Sequence, residues 1–318
     1  MKRAGVSGAT RLLKKGGYHE GTLVIDAPAS EVGELAGEHF SFFEGPKGTA
    51  PRATGPIPTD AARWTLFLPK GKARRDWLFR LAAARGVELS VVGPAKGGIK
   101  AAKKALLAAY ASVRTVAVGH HHQLLRGSGP RAVSADADQL VWSTGLGFDA
   151  VSLPGTFAAG RLDEGTARLI EVLASGDWQG CAVLDLACGS GVIGVQLARA
   201  GAEVVLSDAD HLACESARQT LVRANVQGEV RARWAYDRIE GVFDAIVTNP
   251  PFHEGLGTSY DPAEAFVKGA PAKLRPGGTL TLVANHFLPY ERWLEQAFGT
   301  YASLYEDKRF KVLRAVRP

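Results

Sequence analysis

Beyond residue 140 the chain alternates apolar runs of strand length with amphipathic stretches of helical length. The strand candidates are CAVLDLA (181–187), AEVVLSD (202–208), EVRARWA (229–235), FDAIVTN (243–249), GTLTLVA (278–284), SLYEDKR (303–309) and FKVLRAV (310–316). Helices are predicted near 192–200, 211–226, 262–274 and 289–298. The first, fourth and fifth strands are mostly apolar, as parallel strands covered on both faces must be. Pro276-Gly277-Gly278 reads as a breaker ahead of the fifth strand. The last two segments have almost nothing between them and predict an antiparallel hairpin closing the sheet edge. Alternation of this kind predicts a doubly wound α/β domain.

The first half reads as a worn copy of the second. GTLVIDAPAS (21–30) stands where CAVLDLACGS does, and RWTLFLPKGK (63–72) where FDAIVTNPPFHEG does. VELSVVGPAKGGIKAAKKALLAAY (87–110) parallels GTLTLVANHFLPYERWLEQAF, and VRTVAVGHHHQLLRG (113–127) parallels the closing hairpin. No glycine cluster follows Asp26 and no Asn-Pro-Pro follows Leu68, so this copy lacks the loops where chemistry is expected. Polar, turn-rich residues 128–145 divide the chain, giving expected domains of 1–140 and 141–318. The Gly/Pro-rich stretch between Phe40 and Trp64 reads as an irregular loop.

Composition narrows the class. With 318 residues, 46% hydrophobic and 22% charged, the chain reads as a soluble globular protein with room for two cores. No uncharged apolar run of about 18 residues predicts a membrane span, and the basic N-terminus lacks the apolar centre of a secretion signal. Cys181, Cys188 and Cys214 show neither paired nor metal-ligand spacing, which fits a cytoplasmic location. Charge is uneven. Residues 1–140 carry 21 Lys+Arg against 11 Asp+Glu (+10), and residues 141–318 carry 17 against 21 (−4), summing to the chain's +6. A basic first half points to a polyanionic partner.

Val183 to Gly194 (VLDLACGSGVIG) spells a strand, a glycine loop and a helix start. Gly189 and Gly191 let the backbone turn sharply and approach a ligand. The spacing Gly189-x-Gly191-x-x-Gly194 would also suit a dinucleotide. Asp185, ahead of the glycines, is awkward beside a pyrophosphate but suits a cofactor carrying a cationic amino acid. Asp208 ends the next strand 23 residues on, where a carboxylate can take two ribose hydroxyls. Together these resemble the first two motifs of class I S-adenosylmethionine-dependent methyltransferases. The resemblance implies S-adenosylmethionine as cofactor, held at Asp185, Ala187, Gly189, Gly191, Asp208, Ala209 and Asn249. Asp237, after the third strand, is a candidate for the adenine amino group, although its loop (WAYD) is irregular.

The fourth strand runs into Asn249-Pro250-Pro251-Phe252. Two prolines stiffen this loop. An exocyclic amine on an aromatic ring is a poor nucleophile because its lone pair is delocalised. The Asn249 side-chain carbonyl and the Pro250 backbone carbonyl can accept its two N–H bonds and free the lone pair, while Phe252 stacks on the base. Catalysis is then positioning and preorganised dipoles, with no metal and no covalent intermediate.

The wider signature is Asn249-Pro250-Pro251-Phe252-His253-Glu254-Gly255, then Ala284-Asn285-His286-Phe287-Leu288-Pro289-Tyr290 and Arg309-Phe310-Lys311-Val312. Leu153-Pro154-Gly155-Thr156-Phe157 and Leu162-Asp163-Glu164-Gly165-Thr166 precede it. This set resembles the RsmC-type small-subunit ribosomal RNA guanine-N2 methyltransferases, densely over 150–318 and faintly over 20–130. The resemblance implies two tandem Rossmann-like methyltransferase domains, the first degenerate, the second a seven-stranded mostly parallel sheet with a C-terminal antiparallel hairpin. It also implies transfer to N2 of a guanine in 16S-type rRNA, in the helix 34 region, within the assembled small subunit. Phe252, His253, Arg309 and Lys311 are the candidate substrate contacts. Lys308 is a further candidate in the same hairpin. A monomer without metal or membrane contact is expected.

The Asn-Pro-Pro loop alone leaves large-subunit rRNA guanine, adenine N6 and a protein glutamine amide open as acceptors. A non-catalytic ribosome-assembly factor is the rival of another class, opposed by the intact Asp185, Gly189, Gly191, Asp208 and Asn249. His120-His121-His122 is read as a non-metal run, because consecutive strand residues cannot all face one ion. Lys96 to Lys104 (KGGIKAAKK) sets a glycine loop before a basic helix, which reads equally as a phosphate contact or a solvated face.

Overall fold

The computed structural model describes residues 7–28, 32, 34–36, 38–45, 57, 60–136, 138–251 and 262–318. Two compact units result, Met1–Asp138 and Gln139–Pro318. Most of the Gly/Pro-rich stretch between Phe40 and Trp64 lies outside the described residues, as do Phe252, His253, Glu254 and Gly255.

The first unit contains α1 (Gly8–Lys15), β1 (Leu23–Ile25), β2 (Glu38–Phe40), β3 (Arg63–Phe67), α2 (Lys72–Ala84), β4 (Glu88–Pro94), α3 (Ile99–Ala109), β5 (Tyr110–Gly119) and β6 (His122–Pro130). Its sheet runs β2-β1-β3-β4-β6-β5. The first four strands are parallel, whereas β6 lies antiparallel to both β4 and β5. Leu12 and Leu13 of α1 join Val24, Val92 and Leu124 in one apolar cluster, so the opening helix is held by core packing. At the tip of β1, Asp26 accepts hydrogen bonds from Ser41 Oγ and the Phe42 N–H, both at 3.0 Å. That carboxylate ties two strand ends together.

The histidine run is not all in a strand as expected, since only His122 belongs to one, as the first residue of β6. His120 and His121 have positive φ (50° and 61°) and make the two-residue turn between β5 and β6. Among the described residues no group of three or more His, Cys, Asp or Glu is arranged to hold a metal ion.

The second unit contains β7 (Leu140–Ser143), β8 (Asp149–Ser152), α4 (Glu164–Leu173), β9 (Ala182–Leu186), α5 (Val192–Arg199), β10 (Glu203–Asp208), α6 (His211–Arg223), β11 (Glu229–Ala232), β12 (Phe243–Thr248), α7 (Pro262–Gly269), β13 (Leu274–Asn285), α8 (Tyr290–Phe298), β14 (Ala302–Glu306) and β15 (Phe310–Val316). Its seven-stranded sheet runs β11-β10-β9-β12-β13-β15-β14, and only β15 is reversed. The side-chain period of a strand sorts the core into two layers. Val183, Val204, Ala245 and Val247 face α4, α5 and α6, while Leu184, Ile246, Leu280 and Leu282 face α7 and α8. Leaving out β11, the two sheets share one strand order and one pattern of directions. The chain is thus two tandem Rossmann-like units, as the internal repeat predicts.

Three element limits differ from the sequence reading. Pro276-Gly277-Gly278 does not precede a strand but bulges inside one: β13 starts at Leu274, pairs with Phe243, and resumes register at Thr279 opposite Ala245. The third strand stops at Ala232, where the chain turns through Ala235 and Arg238 at positive φ. The sixth stops at Glu306, because the Asp307 carboxylate accepts the Arg309 and Phe310 N–H groups at 2.7 Å each and forms the hairpin turn.

Candidate active site

The glycine loop sits where β9 hands over to α5, at the carboxyl edge of the sheet. Ala187 (φ 60°), Gly189 (φ 54°) and Gly191 (φ 80°) alternate left-handed conformations with ordinary ones. The loop is pinned to the neighbouring strand by the Cys188 N–H to Ser207 O bond (3.0 Å), and closed by Gly191 N–H to Cys188 O (2.8 Å). A Cβ on Gly191 would lie 3.0 Å from the side chains of Ala217 and Leu206, so glycine is required there by packing. A Cβ on Gly189 would meet nothing within 4 Å among the described residues: this is the loop's open side.

Two carboxylates flank the loop. Asp185, fully buried, accepts the Gly194 N–H through Oδ2 (2.8 Å), while its Oδ1 is buried with no partner. Burial pushes its pKa up to about 7; the Gly194 hydrogen bond opposes this and the charge of Asp208 adds to it. Asp208 ends β10 and accepts the N–H groups of Gly189 (3.0 Å, Oδ2) and Asp210 (2.9 Å, Oδ1), and that of Ala209. Its pKa is pushed up to about 6, again chiefly by burial. The thiols of Cys188 and Cys214 are held protonated by burial and by Asp208, so neither is an activated nucleophile.

This edge of the molecule therefore asks for a cation. Among the described residues the two acids stand together without a basic partner within hydrogen-bond reach, and one oxygen has no bond at all. A pyrophosphate would be repelled, whereas S-adenosylmethionine carries an ammonium and a sulfonium and offers two ribose hydroxyls to Asp208. The residues present fit that cofactor. Asp237 lies in the turn after β11, with its backbone N–H on Trp234 O (2.9 Å) and its carboxylate 3.9 Å from Arg238 Nε.

Asn249 follows the last residue of β12, and Thr248 Oγ1 ties that strand's tip to Leu186 O (2.6 Å). The Asn249 Nδ2 group donates to Asp163 Oδ2 (3.1 Å) and to Thr166 Oγ1 (2.9 Å). Its Oδ1 is buried and has no partner among the described residues. Pro250 is buried and Pro251 exposed. Asn249 lines a cleft with Trp142, Phe157, Arg161, Asp163 and the glycine loop. The sequence thus brings Asp185, Ala187, Gly189, Gly191, Asp208 and Asn249 to one edge of one sheet.

The two basic candidates fare differently. Arg309 pairs with Glu164 at the first turn of α4 and lies over the Phe310 ring, 5.1 Å from its centroid, with its side chain well exposed. Lys311 is only 4% exposed and pairs with Glu291 of α8, so its charge is spent inside the unit and is not offered to RNA. Position explains the difference: Arg309 lies in the turn ahead of β15, whereas Lys311 is inside that strand, paired on one side with Ala284 of β13 and on the other with Glu306 of β14. In the sequence Asp163 and Thr166 stand out only as part of the Leu162–Thr166 motif. No local signal says that a helix cap reaches a side chain 86 residues away.

A family model described as the methyltransferase small domain matches residues 147–314. The ribosomal RNA small subunit methyltransferase C of Chromohalobacter salexigens is 42% identical over 276 residues, covering 84% of this chain and 81% of that one. The protein of the same name from Escherichia coli O157:H7 is 33% identical over 302 residues, covering 92% and 87%. Among solved structures, the T. thermophilus 16S rRNA N2 methyltransferase RsmC, complexed with AdoMet and guanosine, superposes with a TM-score of 0.83. It shares 27% identity, and the match covers 98% of this chain and 92% of that one. With a glycine loop between two uncompensated acids, an oriented Asn249 and relatives matched across both units, the chain belongs to the ribosomal RNA small subunit methyltransferase C family of S-adenosylmethionine-dependent enzymes.

Proposed function

We propose that this enzyme methylates the exocyclic N2 of one guanine of 16S rRNA within the assembled small subunit, at the equivalent of guanine 1207 in the T. thermophilus relative's description. The observation that carries the mechanism is the buried, unpartnered Oδ1 of Asn249 beside the glycine loop. Bound S-adenosylmethionine supplies an electrophilic methyl group on sulfur. Asp208 holds the ribose hydroxyls, and Asp185 and the backbone at Ala187 and Gly189 line the rest of the cofactor's seat.

The protein's own part is to make a poor nucleophile reactive. Asn249 Oδ1 accepts one N–H of the base amine and the Pro250 carbonyl accepts the other. Both bonds strengthen as the nitrogen gives up its lone pair and its hydrogens turn acidic, so the dipoles act most in the transition state. Phe252 and His253, outside the described residues, remain the candidate contacts to the guanine on the strength of the family resemblance. The methylated amine loses its proton to water, so no general base is needed. Arg309, exposed at the rim, contacts phosphate. The basic first unit, with Lys100, Lys103 and Lys104 along α3, grips the RNA backbone, and the enzyme works as a monomer in the cytoplasm.

Asn249→Ala tests this directly. S-adenosylmethionine binding, measured by calorimetry, should stay within about threefold, while kcat drops by roughly 10²–10³. A variant that keeps near-normal turnover contradicts the mechanism.

A further inference from the structure

From the hydrogen bonds around Asn249 we infer that Asp163 and Thr166 are positioning residues, setting which end of the Asn249 amide meets the base. The inference rests on the reading above that the Asn249 carbonyl accepts the base amine. An asparagine side chain is nearly symmetric in shape and can offer either a donor or an acceptor. Only the acceptor end serves this chemistry, since an NH₂ group facing the base amine would repel it. Something must decide between the two.

Asp163 decides it by charge. A carboxylate only accepts, so the amide end 3.1 Å from Asp163 Oδ2 has to be the NH₂. Thr166 Oγ1, at 2.9 Å, takes the second N–H, so both donors of Asn249 are used. The carbonyl is left pointing away, buried and unbonded. Leaving a buried carbonyl unpaired is unfavourable. Such an arrangement persists only where the neighbours over-determine it, and here two separate acceptors do.

The same carboxylate is also the N-cap of α4. Asp163 Oδ2 accepts the Thr166 N–H at 2.9 Å, so the cap holds the oxygen that orients Asn249. Gly165 leaves the room: a Cβ there would lie 3.2 Å from Asp163 Oδ2 and from the Phe310 ring. The α4 cap and the loop after β12 are thereby one hydrogen-bonded device, although 86 residues separate them.

Capping and orienting can be separated by substitution. Asp163→Ser keeps a good N-cap but is too short to reach Asn249. Thr166→Val keeps size and backbone N–H but removes the acceptor. Each should lower kcat about 10- to 100-fold, with KM for the subunit and the S-adenosylmethionine dissociation constant within about twofold and the melting temperature near wild type. Asp163→Asn, which still caps and accepts, should recover the larger part of the rate. Combined with Asn249→Ala, Asp163→Ser should add no further loss, since both act through one group. A loss confined to cofactor affinity or to melting temperature, or additive losses in the double variant, would overturn the inference. If Asn249→Ala alone retains turnover, it is the underlying mechanism that fails.

Discussion

Asp185 and Asp208 carry a conflict between stability and binding. Both have pKa values raised by burial, to about 7 and about 6, against about 3.9 for a free aspartate. The folded, ligand-free protein therefore binds more protons than the unfolded chain between about pH 4 and pH 7. Its stability falls as pH rises through that window and levels off above it. In the function proposed above, the ionised forms are the ones that would accept the ribose hydroxyls and face the ammonium, so cofactor affinity should rise over the same window. Melting curves from pH 5 to 8, with and without S-adenosylmethionine, should diverge as pH increases. Asp208→Asn should flatten the ligand-free slope while weakening cofactor binding about tenfold or more. A ligand-free stability independent of pH in the wild type, with the same behaviour in the variant, would contradict this account of the two acids.

At the scale of elements, the glycine loop separates two uses of glycine. Gly191 packs its missing Cβ against α6 and β10, so Gly191→Ala forces both backbone strain and overlap. A loss of about 1–3 kcal/mol is expected, seen as a melting temperature several degrees lower. Gly189 is also left-handed but faces open space, so Gly189→Ala adds backbone strain without overlap: it should lose less stability than Gly191→Ala yet bind S-adenosylmethionine at least about fivefold more weakly. Equal loss of stability in both variants would refute this division. Much of this element was legible beforehand: the Asp-x-x-x-Gly-x-Gly spacing needs only a strand, a turn and a helix start, all local. The seven strand candidates and the closing hairpin were legible from apolar periodicity and short connections, whereas the order of the strands in the sheet was not read from the sequence. What stayed illegible is non-local. The bulge at Pro276-Gly277-Gly278 depends on how β12 and β15 border it, the inward face of Lys311 depends on sheet register, and the reach of Asp163 to Asn249 depends on where α4 docks.

Across the whole molecule, the repeat has been used asymmetrically. The first unit kept the strand order of the second but consumed its Asp26 in a tie to Ser41 and Phe42 and carries no glycine loop. It also holds the excess of positive charge, +10 against −4. Its α3 carries Lys100, Lys103 and Lys104 on one basic stretch. Replacing all three by glutamine should raise KM for small subunits several-fold with kcat little changed, and should make the reaction less sensitive to salt. Unchanged KM and salt response would remove α3 from the RNA-binding surface. No helix among the described residues is long and apolar enough to cross a membrane.

The central claim concerns which atom receives the methyl group, and one assay addresses it. Labelled methyl from S-adenosylmethionine is offered to small subunits, large subunits and naked rRNA lacking the modification, and the product RNA is digested to nucleosides. The account predicts N2-methylguanosine, from small subunits, and its loss in Asn249→Ala. Label in N6-methyladenosine, label confined to large subunits, or no label in any RNA would contradict it.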